Sequence, residues 1–156
     1  MVTPLQLCCY ISALANGGTL YRPTILSKVS SYDNTEVIYA PEPEVRSKLE
    51  IRRSTLNTII DGMLHVTEDG TASAAFKDIS FTVAGKTGSA QVSSGSDNAV
   101  FAAFAPVEKP EIAIVVIVEH GNSGNSIAPI ARTVFEKYFA QKHSIGQTSS
   151  IGAFLG

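Results

Sequence analysis

Apolar residues near the start of the chain recur at Leu7, Ile11 and Leu14, the three-and-four spacing of one helix face. Thr3-Pro4-Leu5-Gln6 before them reads as a helix start: a hydroxyl to cap, proline at the first helical position, and glutamine three residues after the cap. Asn16-Gly17-Gly18 tolerates positive φ and closes that helix. Thr19 to Ile25 reads as extended, with Pro23 keeping it out of a sheet centre. Residues 26–50 are mixed and turn-rich. Their best strand is Glu36-Val37-Ile38-Tyr39, which suits a short hairpin. A second helix is predicted from near Ser54, buried along Leu56, Ile60, Met63 and Leu64 and ended by Asp69-Gly70.

Beyond Gly70 the pattern turns from helical to extended. Thr71 to Asp78 leads into a strand predicted over Phe81 to Val92. Residues 93–98, SSGSDN, have turn chemistry, and Ala99 to Ala105 forms the returning strand. After Glu108-Lys109-Pro110 comes EIAIVVIVE, Glu111 to Glu119, apolar on both alternating faces. Such a strand belongs in a sheet covered on both sides. Short loops between the three strands favour antiparallel neighbours. After the polar stretch His120 to Asn125, Ser126 is predicted to cap a last helix. That helix carries Ile127, Ile130, Val134, Phe135, Tyr138 and Phe139 along its buried side. The glycine and serine content from His143 onward predicts a flexible tail over 143–156. The order predicts an α+β fold, an antiparallel sheet flanked by helices.

With 156 residues the chain has the length of one domain, and 44% hydrophobic against 17% charged residues is the balance of a folded core rather than of disorder. The formal charge of −2 leaves no basic excess to follow a phosphate backbone, which argues against nucleic acid as a partner. No run of apolar residues reaches membrane-spanning length, and Val2, Thr3 and Pro4 after Met1 do not resemble a leader. Cys8 and Cys9 are adjacent, a poor geometry for bridging, and read as small residues buried in the first helix. His65, His120 and His143 show neither metal spacing nor a partnered carboxylate pattern.

The chemistry concentrates in VAGKTGSAQV, Val83 to Val92. As a phosphate cradle it fails: a P-loop needs glycine five positions before Gly85, where Ser80 stands, and no helix-forming run follows Lys86. Set in a strand, Lys86 and Gly88 project to one side and Thr87 and Ser89 to the other. Gly88 leaves clearance for an extended peptide pairing with the strand edge. Nearby hydroxyls and the ammonium suit its carboxylate, and the Ser89 N–H suits a developing oxyanion.

Lys-Thr-Gly on a strand is a signature of the penicillin-recognising serine acyltransferases. The blocks VTPLQL…ALANGGTLYRP (Val2 to Pro23), GTA (Gly70 to Ala72), AGKTGSAQ (Ala84 to Gln91) and FAAFAP (Phe101 to Pro106) follow one another as in class B penicillin-binding proteins. The chain thus resembles the C-terminal part of these monofunctional peptidoglycan D,D-transpeptidases, over residues 2 to about 140. The resemblance implies a partial β-lactamase-like transpeptidase fold over 1–142, with three strands present and two upstream. It implies that Lys86 helps hold the charge and proton network, that Thr87 and Ser89 bind the carboxylate of a donor peptide or β-lactam, and that Gly88 gives clearance. The Ser89 backbone N–H would supply half of an oxyanion hole. Ser89 stands where the family commonly has threonine, which keeps the hydroxyl and loses a methyl.

The family attacks with the serine of Ser-x-x-Lys. The residues three before Lys28, Lys48, Lys77, Lys86, Lys109, Lys137 and Lys142 are Ile25, Val45, Ala74, Val83, Pro106, Val134 and Phe139, so the nucleophile is not in these residues. Ser-x-Asn occurs as Ser96-Asp97-Asn98 and Ser123-Gly124-Asn125, but both follow the Lys-Thr-Gly strand, where the family's motif precedes it; both read as loop chemistry. The expectation is therefore the C-terminal part of a longer enzyme, inactive alone and needing no cofactor. Its parent would be anchored in the cytoplasmic membrane, with this domain outside. The implied partners are a stem peptide ending in D-Ala-D-Ala, β-lactams and the N-terminal part of the same enzyme. Self-association through Glu111 to Glu119 is expected if that strand lacks its neighbour. A fragment of a β-lactamase or β-lactam sensor, or a non-catalytic module binding peptides or proteins along the strand edge, are the alternatives.

Overall fold

The computed structural model describes residues 2–151, with side chains described through Lys142. In chain order it contains α1 (Pro4–Ala15), β1 (Thr19–Tyr21), β2 (Val29–Ser30), β3 (Val37–Tyr39), β4 (Val45–Lys48), α2 (Arg53–Glu68) and α3 (Ser73–Phe76). Then follow β5 (Ala84–Ala90), β6 (Asn98–Ala105), β7 (Ile112–Val118) and α4 (Gly124–Ile151).

α1 starts as its sequence demands. Thr3 Oγ1 accepts the Gln6 N–H at 3.2 Å, and Gln6 Oε1 accepts the Thr3 N–H at 2.9 Å. At its end Gly17 and Gly18 take φ of 89° and 109°, and the Gly18 N–H returns to the Ala13 carbonyl at 2.7 Å. Cys8 and Cys9 are half-buried rather than buried, because α1 turns Ile11, Ala13 and Leu14 inward. Burial, with Cys9 beside it, pushes the Cys8 thiol pKa up.

The central sheet is antiparallel in the order β5-β6-β7, with Thr87 opposite Phe101 and Phe101 opposite Val116. Its two faces bury separate clusters. On one, Ala99, Phe101 and Ala103 of β6 meet Ile127, Ala128, Ala131 and Phe135 of α4. On the other, Ala84, Ala102 and Phe104 meet Ile11 and Leu14 of α1 and Leu56 and Met63 of α2. β7 serves both, with Ile112, Ile114, Val116 and Val118 on the α4 side and Ala113 and Val115 on the α1 side. Its doubly apolar pattern follows from that. Phe101, Phe104 and Phe135 are wholly enclosed, each burial contributing about 1.5–3 kcal/mol.

Several elements depart from the sequence pattern. In α4 the buried stripe runs through Ala128 and Ala131, which let the helix lie close on the sheet, and it leaves Ile130 and Val134 exposed at its flank. Ser126 does not cap this helix: its hydroxyl donates to the Gly121 and Ser123 carbonyls, and the helix begins at Gly124. The expected tail lies outside the described side chains; the helical backbone runs to Ile151. β5 begins at Ala84 rather than Phe81, because Phe81 turns toward α4 and packs on Phe139 and Phe135 with ring centroids 4.6 and 6.3 Å away. The hairpin is β2-β3, and a second antiparallel pair, β1-β4, joins the start of the extended stretch, Thr19–Tyr21, to Val45–Lys48. All four residues of β4 are exposed, so no apolar alternation announced it.

Candidate active site

β5 pairs with β6 along one edge and has no strand partner on the other among the described residues. Beside that free edge α2 ends. The Thr67 hydroxyl donates to the Val83 carbonyl at 2.5 Å, tying the last turn of the helix to the residue before β5. Gly70 and Ala72 then donate backbone N–H bonds to the His65 and Val66 carbonyls at 2.8 and 2.9 Å, folding the chain into a tight turn. The turn sets Thr71 against the strand, with its Oγ1 3.0 Å from Thr87 Oγ1.

The opposite wall comes from the loop after β7. The His120 N–H bonds Asn98 Oδ1 at 3.0 Å and the Asn122 N–H bonds the Asp97 carbonyl at 2.9 Å, which fixes the loop to the β5–β6 turn. Gly124 then rests directly on the sheet. A Cβ there would stand 2.2 Å from the Val100 carbonyl oxygen and 2.6 Å from the Gly88 nitrogen, so only glycine fits. Beside it the Ser123 hydroxyl bonds Asn125 Oδ1.

Thr71, Thr87, Gly88, Ser89, Ser123, Gly124 and Asn125 together line an open groove of about 310 Å³. Its polar lining is hydroxyl and amide, with no carboxylate to repel an anion. Ser96-Asp97-Asn98 takes no part in this lining and instead anchors the loop, with the Ser96 carbonyl 3.0 Å from His120 Nδ1. Ser123-Gly124-Asn125, read from sequence as loop chemistry, is brought into the groove. Thr71 is the other lining residue that sequence reasoning did not single out, although GTA was among the matching blocks.

Lys86 is placed differently. It lines a hollow of about 270 Å³ on the α1–α2 side with Tyr10, Ile11, Ile59 and Met63, and its Nζ donates to the Thr87 carbonyl at 2.6 Å. The ammonium and the Thr87 hydroxyl therefore serve opposite sides of the strand, meeting at Thr87 and Gly88, which line both hollows. A larger hollow of about 830 Å³ runs under α3 and residues 77–83 and includes none of these groups. His65 does have a carboxylate neighbour, Asp69 at 3.3 Å, but both are exposed. Among the described residues no cluster of three or more His, Cys, Asp or Glu could hold a metal.

A model of the penicillin binding protein transpeptidase domain matches residues 1–136. The chain belongs to this family. Penicillin-binding protein 2A of Bacillus subtilis is 31% identical over 90% of this chain, and peptidoglycan D,D-transpeptidase MrdA of Acinetobacter baumannii is 32% identical over 86%. The chain spans 22% of the length of each of these relatives. Among solved structures, the penicillin G acyl-enzyme complex of penicillin-binding protein A from M. tuberculosis aligns with a TM-score of 0.72 at 25% identity. That alignment covers 88% of this chain and 32% of that one. The α+β layout with its antiparallel sheet is thus a partial penicillin-binding transpeptidase fold, and the phosphate-cradle reading of Gly85-Lys86-Thr87 has no place in it.

Proposed function

We propose that this chain supplies the Lys-Thr-Gly part of a peptidoglycan D,D-transpeptidase, and that the nucleophilic serine comes from polypeptide beyond these residues. The observation that carries the reading is the groove itself: Thr87, Gly88 and Ser89 of an unpaired strand edge share it with Thr71. A donor peptide laid along β5 would pair with the free edge and set its carboxylate among the hydroxyls of Thr87 and Ser89. The serine oxygen attacks the penultimate D-Ala carbonyl, and the Ser89 N–H donates to the oxyanion that forms. The peptide bond breaks, terminal D-Ala leaves with a proton on its amine, and an acceptor amine then displaces the serine from the ester. Lys86, on the other side of the strand, would set its charge beside Thr87 and Gly88 and support the proton exchange of the serine and its base.

The relative from A. baumannii is named a peptidoglycan D,D-transpeptidase, and the M. tuberculosis relative forms an acyl-enzyme with penicillin G. Both favour this reading over a β-lactamase fragment or a non-catalytic module. No helix among the described residues is long and apolar enough to cross a membrane; the proposal assigns membrane anchoring, with this domain outside, to the remainder of the parent. The test is labelling with a fluorescent penicillin. The 156-residue chain alone stays unlabelled, and the longer polypeptide with an in-frame Ser-x-x-Lys upstream takes one label per molecule. Covalent labelling of the isolated chain, or none of the longer enzyme, refutes the proposal.

A further inference from the structure

We infer that Thr71 is a positioning residue for carboxylate recognition: it donates its hydroxyl proton to Thr87 and so leaves the Thr87 proton free for the ligand. The inference rests on the reading of the groove given above and adds a residue that the Lys-Thr-Gly pattern does not contain. A carboxylate only accepts hydrogen bonds, so a threonine that binds one must donate to it. Thr87 Oγ1 lies 3.0 Å from Thr71 Oγ1, and one of the two is the donor. If Thr87 donated to Thr71, its single proton would point away from the ligand. With a carboxylate in the groove, Thr71 is the donor and Thr87 passes the polarisation on.

The surroundings hold Thr71 in this role. Its turn is pinned by the Gly70 and Ala72 N–H bonds, by the Ser73 hydroxyl on the Gly70 carbonyl at 2.9 Å, and by Ala72, which is buried against the α4-side core. The Thr67–Val83 bond fixes the same helix end to the strand. The backbone on both sides thus holds the two hydroxyl oxygens within hydrogen-bond distance, and a carboxylate in the groove selects the direction in which Thr71 donates.

The experiment uses the longer enzyme that contains this segment, a penicillin with a free carboxylate and its methyl ester. Thr71→Val keeps the shape and removes the donor. It should slow acylation by the acid about tenfold and by the ester less than about twofold. Thr71→Ser should retain the acid rate. In a Thr87→Val background, adding Thr71→Val should cost nothing further, because Thr71 acts through Thr87. Equal losses for acid and ester, or additive losses in the double variant, overturn the inference; an unchanged melting temperature for Thr71→Val separates it from a folding defect. If the unaltered enzyme takes no label, the reading of the groove fails. If it takes label and Thr71→Val is indistinguishable from it, this inference alone fails.

Discussion

Thr71 and Thr87 lie sixteen residues apart in sequence and hold their hydroxyl oxygens 3.0 Å apart across the gap between the α2–α3 turn and the edge of β5. Thr71 is exposed and Thr87 half-buried, so each hydroxyl can exchange its partner for water on unfolding. The pair should therefore contribute little to stability, about 0.5–1 kcal/mol. A double-mutant cycle of Thr71→Val and Thr87→Val in urea denaturation checks this. A coupling above about 2 kcal/mol would make the pair a structural staple instead of a recognition device.

Gly124 brings the loop Gly121 to Asn125 down onto β5 and β6. Gly124→Ala would put a methyl against the Val100 carbonyl and the Gly88 nitrogen, both backbone atoms with no rotamer to yield. The helix start must lift, and with it Ser123 and Asn125. Expected are a loss of about 1–3 kcal/mol and a widened groove. Thermal denaturation and the amide shifts of Gly88 and Ser89 report the two effects. An unchanged melting temperature would show that the loop is not seated as described.

How far the sequence alone carried these conclusions differs by element. The capping box of α1, the doubly apolar β7 and the turn at residues 93–98 were legible because each depends on neighbours in sequence. β4 was not, since its four residues are exposed and only the partner strand makes them extended. In α4 Ile127 and Phe135 were legible as buried, but hydropathy also favoured Ile130 and Val134, whereas close packing on a sheet favours Ala128 and Ala131. At the groove, Thr87, Gly88 and Ser89 were visible as one strand. Thr71 and Ser123-Gly124-Asn125 reach it only through the turn after α2 and the loop after β7, which no spacing rule encodes.

Acid should loosen the turn of the β2–β3 hairpin. Asp33 accepts from the Ser31 hydroxyl at 2.6 Å and from the Thr35 hydroxyl and N–H at 2.9 and 3.2 Å, and these bonds, the Ser31 hydroxyl first, hold its pKa down to about 2. A carboxylate depressed in the folded state stabilises it fully above the ordinary value of 3.8, and that contribution is lost as pH falls toward about 2. Carboxyl carbon shifts followed by NMR should show Asp33 titrating at about 2, below its ordinary value of 3.8. Asp33→Asn should remove the pH dependence of the Thr35 amide over that window. Titration of Asp33 near 3.8 would mean that the turn is not formed.

β7 leaves one edge without a strand partner among the described residues, while its faces are packed between α1 and α4. An unpaired edge of seven apolar residues is a template for a second copy, and the bond of Lys142 Nζ to Glu111 at 2.5 Å guards only its start. Near the other end Ile117 is exposed, so a charge placed there burdens the edge without emptying the core. The isolated chain is expected to associate at micromolar concentration, and Ile117→Lys to shift it toward monomer without lowering its melting temperature by more than a few degrees. Sedimentation velocity across a concentration series decides. A chain that stays monomeric throughout, or an oligomer indifferent to Ile117→Lys, would show that β7 is not the contact.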